Sequence, residues 1–296
     1  MNQITTRTAS TKISQVNSHL LVIADLLQQP RHFLVLRLTL LLLLLYGAST
    51  VFLDVPLRVA CSLMLLAPTL LTSQAMWVIV CGLVWTINAT DWLWLDNHKI
   101  LIGYWCLVCA LGVSAKKTDA VLAWNGRILI GLTFLFATIW KLLAGEYGNG
   151  AFLHYTFLTD GRASAIATMI GGLSPDMLLQ NQLLEAILKR LPDTLISVKL
   201  ASTPSLERFA LMASYWTLLI EGSITVAFIC SGISWLCRYR DWLLLFFIAT
   251  TYFLLPVLGF AYVLMIMGFA QCPPQKIFTR IAYLFLLGLL QLARLF

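Results

Sequence analysis

Residues 121–143 read VLAWNGRILIGLTFLFATIWKLL. From Ile128 to Trp140 there is no charge, and Arg127 and Lys141 bracket the run. The stretch exceeds the roughly 20 apolar residues with which an α-helix crosses the hydrocarbon core of a bilayer. Similar stretches lie on both sides of it, at 33–52, 56–71, 75–93, 99–114, 209–236, 242–270 and 281–295. The segment 242–270 is interrupted by Pro256 and reads either as one long tilted helix or as two short ones. The pattern predicts an all-α fold: a polytopic transmembrane helical bundle of eight or nine spans.

Composition points the same way. Apolar residues make up 60% of the 296-residue chain and charged ones 11%, whereas soluble domains carry about a quarter charged residues. One soluble core could not bury so much apolar side chain, so the bilayer is the expected partner. The net charge of +7 is spread along the chain, without a basic stripe interleaved with aromatics. Nucleic-acid binding is excluded on that ground.

Lysine and arginine in the short connections set the expected orientation. A cytoplasmic N-terminus puts Arg7, Lys12, Arg31, Lys116, Lys117, Arg238 and Arg240 inside, and Arg58 and Lys99 outside. Residues 1–32 carry no cleavable signal pattern; Ile13, Val16, Leu20, Ile23 and Leu27 recur at helical spacing, as in a cytoplasmic interfacial helix. Residues 33–296 form a single transmembrane domain, with 144–206 as a linker on the outer face. Within the linker, Ser174 and Pro175 make a helix start. Leu179, Leu183, Leu184, Ile187, Leu188 and Leu191 then form an apolar stripe, and Lys189 and Arg190 suit a helix C-terminus. An amphipathic helix over 175–191 is expected, lying on the membrane or capping a cavity between spans.

Ionisable and polar groups at membrane depth are candidates for function. Glu221 lies about 12 residues into its span, roughly 18 Å by helical rise, too deep to reach the headgroups. It must be protonated, paired or facing a wet cavity, with Arg37 or Asn88 as candidate partners. Arg37, Asn125 and Arg127 can snorkel, and Asn88 can serve as a hydrogen bond between helices. Lys141 near the outer end of one span, and Asn97 and His98 at the outer start of the preceding one, have bland readings as snorkelling and capping residues. Consecutive antiparallel spans would nevertheless bring Lys141 and His98 to one depth and one cavity. A desolvated lysine can act as a base there, beside a histidine that polarises a substrate. Cys106 and Cys109 mimic a redox pair, but they sit mid-span rather than at a helix N-terminus and read as structural thiols. No metal-ligand constellation stands out.

These residues carry a resemblance. Trp94-Leu95-Asp96-Asn97-His98-Lys99-Ile100-Leu101 resembles the Asn-His motif opening a span in the vitamin K-dependent γ-glutamyl carboxylases and their bacterial relatives, which share the horizontally transferred transmembrane (HTTM) domain. Residues 134–142, FLFATIWKL, followed by Ala144 and Gly150, resemble the second signature of that family. In that signature a helix ends in Lys-Leu, and a short turn with an aromatic residue and glycine follows. Glu221 and Arg37 fall where the family carries an acidic residue and a first-span arginine. The likeness extends over roughly residues 33–270 and implies a short, bacterial-type member in the inner membrane. It also implies a reduced naphthoquinone or other membrane quinone as cofactor, Lys141 as the quinone base, and Asn97 and His98 as the residues that orient a substrate carboxylate. Trp140 and Tyr252 are then the aromatic candidates for quinone contact.

The sequence also departs from the family pattern. Thr138 replaces a glycine, Trp140 a second lysine, and Leu143 and Gly145 acidic residues; 242–270 holds no histidine, and a large lumenal substrate-binding domain has no counterpart before Phe296. Three functions therefore compete. One is a quinone-linked enzyme of carboxylase, epoxidase or lyase type, acting on a secreted peptide or protein. Another is a non-catalytic membrane protein assisting maturation or export of a partner peptide. The third is a membrane thiol oxidoreductase using Cys106 and Cys109. The spans show no inverted repeat of the transporter kind.

Overall fold

The computed structural model describes residues 30–45, 51–190, 198–230, 234–252 and 255–293, so the expected interfacial helix before residue 30 lies outside the described residues. Among them the chain is helical, without strands. The helices are α1 (Arg31–Leu45), α2 (Val51–Leu66), α3 (Pro68–Leu71), α4 (Gln74–Thr90), α5 (Asn97–Val113) and α6 (Thr118–Ala144). They continue with α7 (Ala151–Thr159), α8 (Pro175–Arg190), α9 (Pro204–Ile229), α10 (Ser234–Tyr252), α11 (Leu258–Gln271) and α12 (Ile277–Ala293). Two of them, α6 with 27 residues and α9 with 26, are long and apolar enough to cross a membrane. Their apolar windows are only 17% and 39% buried, unlike the mostly buried core helix of a soluble protein.

Helix ends fall where local chemistry requires them. Pro68 occupies the first turn of α3, and Ser73 caps α4 by accepting from the Met76 amide. Thr203 caps α9 in the same way, with Pro204 at its first position. Around Pro256 the structure resolves the open question in favour of two helices, α10 and α11. One expected boundary is corrected: α9 ends at Ile229, and Leu236, Arg238 and Arg240 belong to α10 rather than to a span end and a basic loop.

The chain divides into two compact units, Met1–Gly126 with Tyr262–Leu284, and Arg127–Ala261 with Phe285–Phe296. In the first, α4 and α5 pack closely at Gly103, where a Cβ would stand 3.1 Å from the Asn88 amide nitrogen and 3.2 Å from the Trp85 ring. Trp105 on α5 donates its indole N–H to Thr39 Oγ1 on α1 at 2.9 Å, a buried bond. Arg31 donates to the carbonyls of Ala270 and Cys272 at 3.3 and 2.8 Å, so a cation closes the C-terminal end of α11. His32 donates its backbone N–H to Asp119 Oδ1 at 2.7 Å.

In the second unit, α7, a turn of 3₁₀-helix (Gly161–Ala163), a π-helical turn (Ile166–Ile170) and α8 gather beside the start of α9. Leu153, Phe157, Ile166, Leu178, Leu206 and Ala210 form the core of that region. Elsewhere in this unit α6, α9 and α10 meet through edge-to-face aromatic pairs, Phe134 with Phe247 and Trp216 with Phe246. Gly131 lets α6 approach α9, since a Cβ there would lie 2.7 Å from the Ile229 side chain. The helix expected over 175–191 forms as Pro175–Arg190, with Leu191 of its apolar stripe outside the described residues and Leu184 and Leu188 half-buried. Leu179, Leu183 and Ile187 are exposed, while Asn181 is 1% exposed. Both halves of the Asn181 amide bond the backbone of Ala201, at 2.9 Å each.

Candidate functional site

Within the second unit, α6 brings Lys141 to its last turn and α9 carries Glu221 in its lower half. Their side chains form an ion pair between Lys141 Nζ and Glu221 Oε1. The pair is largely withdrawn from solvent, the lysine side chain being 17% exposed and the carboxylate 7%. Arg37 and Asn88, the partners expected for Glu221, belong to the first unit; its partner is Lys141, 80 residues away in sequence. This answers why an ionisable group can sit so deep in an apolar helix: the opposite charge offsets much of its desolvation.

Three further features shape the site. Glu221 Oε2 is buried and has no hydrogen-bond partner. The same is true of Ser214 Oγ, two turns earlier on the same face of α9. The Tyr147 ring lies over the lysine, its centroid 5.2 Å from Nζ, within cation–π range. Tyr147 follows α6 in the Gly145–Gly150 turn. Burial raises its phenol pKa, and the carboxylates of Glu221 and Glu146 act in the same direction. Tyr252 on α10 is buried, its ring meeting Phe247 edge-on at 5.5 Å. Trp140, one residue before Lys141, is 70% exposed.

The other sequence candidates lie in the first unit. Asn97 opens α5 and is exposed; His98 is half-buried, flanked by the charges of Asp96 and Lys99. Lys99 reaches Asp91 at 3.8 Å, and its carbonyl accepts from the Asn88 amide at 3.1 Å. Asn88 is thus a hydrogen bond between α4 and α5. Arg37 is half-buried on α1. Cys106 and Cys109 are free and fully buried. Among the described residues no cluster of His, Cys, Asp and Glu is arranged to hold a metal ion.

A separate cleft of about 420 Å³ opens between α7 and α8, lined by Phe152, Tyr155, Thr159, Asp160, Glu185 and Lys189. Its charges are already engaged: Glu185 with Lys189 at 2.7 Å, and Asp160 with Arg162 at 2.6 Å. The bond from Arg162 holds the Asp160 carboxyl below its ordinary pKa. The Lys141–Glu221 pair, with an unpartnered oxygen, is the better candidate for chemistry. Comparison with protein families, with curated proteins and with solved structures finds no match to this chain.

Tyr147 and Ser214 escaped the sequence reading. Tyr147 had a signal, an aromatic residue in the glycine-flanked GEYGNG after Lys141. Ser214 had none, being one of several hydroxyl residues along an apolar helix.

Proposed function

We propose that this chain is a multi-pass integral membrane protein, N-terminus cytoplasmic, whose Lys141–Glu221 pair is an intramembrane acid–base site for a lipid-borne quinol. On this reading it is a quinone-linked enzyme of the kind the carboxylase resemblance implies, acting on a peptide or protein substrate. The observation that carries it is the buried ion pair with one carboxylate oxygen left without a donor.

Support for the membrane setting comes from the exposed apolar surface. Phe136, Trp140, Leu142 and Leu143 on α6, and Met212 and Leu219 on α9, all face outward, which water would penalise and lipid would not. Helices of 14–17 residues, such as α4, α5, α11 and α12, reach about 21–26 Å at 1.5 Å per residue. They span with local thinning of the bilayer or with polar flanks reaching outward.

The cofactor fits the residues present. An unpartnered acceptor at Glu221 Oε2 suits the hydroxyl of a reduced quinone, while Tyr147 provides aromatic surface for a planar ring. Bound there, a quinol would supply, through its oxidation by molecular oxygen, the strong base that removes a proton from a substrate. The chain's own part is narrower. In a low-dielectric pair a proton can pass from Lys141 Nζ to Glu221, leaving a neutral amine able to accept another. Aromatic cover keeps water from competing for it.

A second reading rests on the same pair. An ion pair complete in itself ties α6 to α9, as a non-catalytic membrane protein assisting a partner's maturation would need. Lys141→Arg separates the two. Arginine keeps the tie but stays charged, so the first reading expects loss of quinol-dependent turnover in proteoliposomes with quinone still recovered from the purified protein. Unchanged turnover, or lipid extracts of the purified protein free of quinone, would sink the enzyme reading.

A further inference from the structure

The turn after α6 is built to place one side chain. Gly145 and Gly150 bracket it, both in the left-handed region at φ 72° and 75°. Gly145 stands directly after α6, where a left-handed glycine ends helices without Cβ strain. Gly150 lies against α9 so closely that a Cβ would be 2.9 Å from Leu211 Cα. Between them the Gly148 amide donates to the Gly145 carbonyl at 3.0 Å, and Tyr215 on α9 donates its hydroxyl to the Gly148 carbonyl at 3.1 Å. The turn is thus fastened at both ends and in the middle. Tyr147 projects from it over the Lys141 ammonium, with Phe152 stacked behind at 4.9 Å and 21°. Glu146 and Gly148 on either side are exposed, whereas Tyr147 is half-buried.

We propose that Tyr147, backed by Phe152, is a fixed cover that shields the Lys141–Glu221 pair from water at the end of α6, so that ligands of apolar character reach the pair through lipid. This deepens the acid–base reading and rests on it, but the cover can be tested without any turnover. A side chain held under an aromatic face and paired with a carboxylate loses access to bulk water. Only the ring is needed for that, so Tyr147→Phe should preserve the cover and Tyr147→Ala should remove it.

The test uses the full chain in lipid nanodiscs and two carbodiimides, one water-soluble and one lipid-soluble. Either reagent activates a carboxyl; the Lys141 amine can then attack it, forming an amide, with the oxygen leaving in the urea by-product. Peptide mass spectrometry reads the Lys141–Glu221 cross-link or the stable urea adduct on Glu221, and the exposed Glu207 reports reagent delivery. The lipid-soluble reagent should modify Glu221 in the unaltered protein, and the water-soluble one about tenfold less, given the exclusion of water. Tyr147→Ala should raise the water-soluble reaction by about that factor, with Tyr147→Phe unchanged. Equal reaction with both reagents in the unaltered protein overturns the cover. So does a Tyr147→Ala protein that labels like the parent, a Tyr147→Phe protein that labels like Tyr147→Ala, or failure of both reagents at Glu221. Shielding that holds while quinol turnover is absent would leave the cover standing and reject the enzyme reading alone.

Discussion

At the scale of the residue, Lys141 and Glu221 matter as a pair before they matter singly. Removing one partner of a buried ion pair strands the other charge and costs about 3–5 kcal/mol, whereas replacing both by apolar groups can be close to neutral. Lys141→Met should therefore lower the melting temperature in detergent markedly, and Lys141→Met with Glu221→Leu should restore most of it. A double variant as unstable as the single one would mean the pair contributes little. If the site is catalytic, the restored double variant is stable and inert. Tyr147 makes a pH prediction. Its phenol pKa is raised above the ordinary value of 10.0, so the stability it contributes is whole below about pH 10 and is lost as pH rises through the folded value. The unfolded chain ionises first in that window. Tyr147→Phe should flatten the alkaline fall in melting temperature, and an unaltered alkaline limb would count against the buried phenol.

Among the elements, the turn after α6 and the helix α8 show what local sequence can and cannot say. Gly145→Ala meets nothing within 4 Å and has only its φ of 72° to resist, so it should cost about 1–2 kcal/mol. Gly145→Asn should cost less, because asparagine tolerates that region. Gly150→Ala also drives a Cβ into the α9 backbone and should be the more damaging; thermal melts of the three variants rank them. In α8, the apolar stripe was legible from spacing, but not the choice of inward face. Asn181 was won for the interior by the two open backbone groups of Ala201, whose bonds no apolar residue could make. Asn181→Ala should cost about 1–3 kcal/mol for that reason, while Leu183→Ser on the exposed face should leave the melting temperature near that of the parent.

For the whole molecule, orientation is the quantity to measure. The proposed topology puts Lys117 and Lys189 on opposite sides of the membrane, with α6, about 40 Å long at 1.5 Å per residue, between them. Single cysteines at these positions, on a background with the seven native cysteines replaced, should react with an impermeant maleimide from opposite faces of sealed vesicles. Reaction of both from one face would reject the multi-pass arrangement. Much of the architecture could be read in advance because its signals are local. The helix start at Ser174 and Pro175 and the length of 121–143 each follow from backbone chemistry within a few residues, whereas the sequence left open whether Pro256 divides its segment.

By itself the sequence determined that the chain is helical, that its apolar content exceeds one soluble core, and where some helices begin, such as the one opened by Ser174 and Pro175. Those properties depend on composition and on neighbours along the chain. Tertiary structure alone decided that Glu221 pairs with Lys141 across 80 residues, that the Tyr147 ring lies over the ammonium, and that α8 turns Asn181 inward and Leu179, Leu183 and Ile187 outward. The reason is physical. When helices are apolar on nearly every side, periodicity cannot distinguish a face that packs on a neighbour from a face that meets lipid, because both are equally apolar. The few polar side chains then find their partners by packing, and packing is visible only once the helices are assembled.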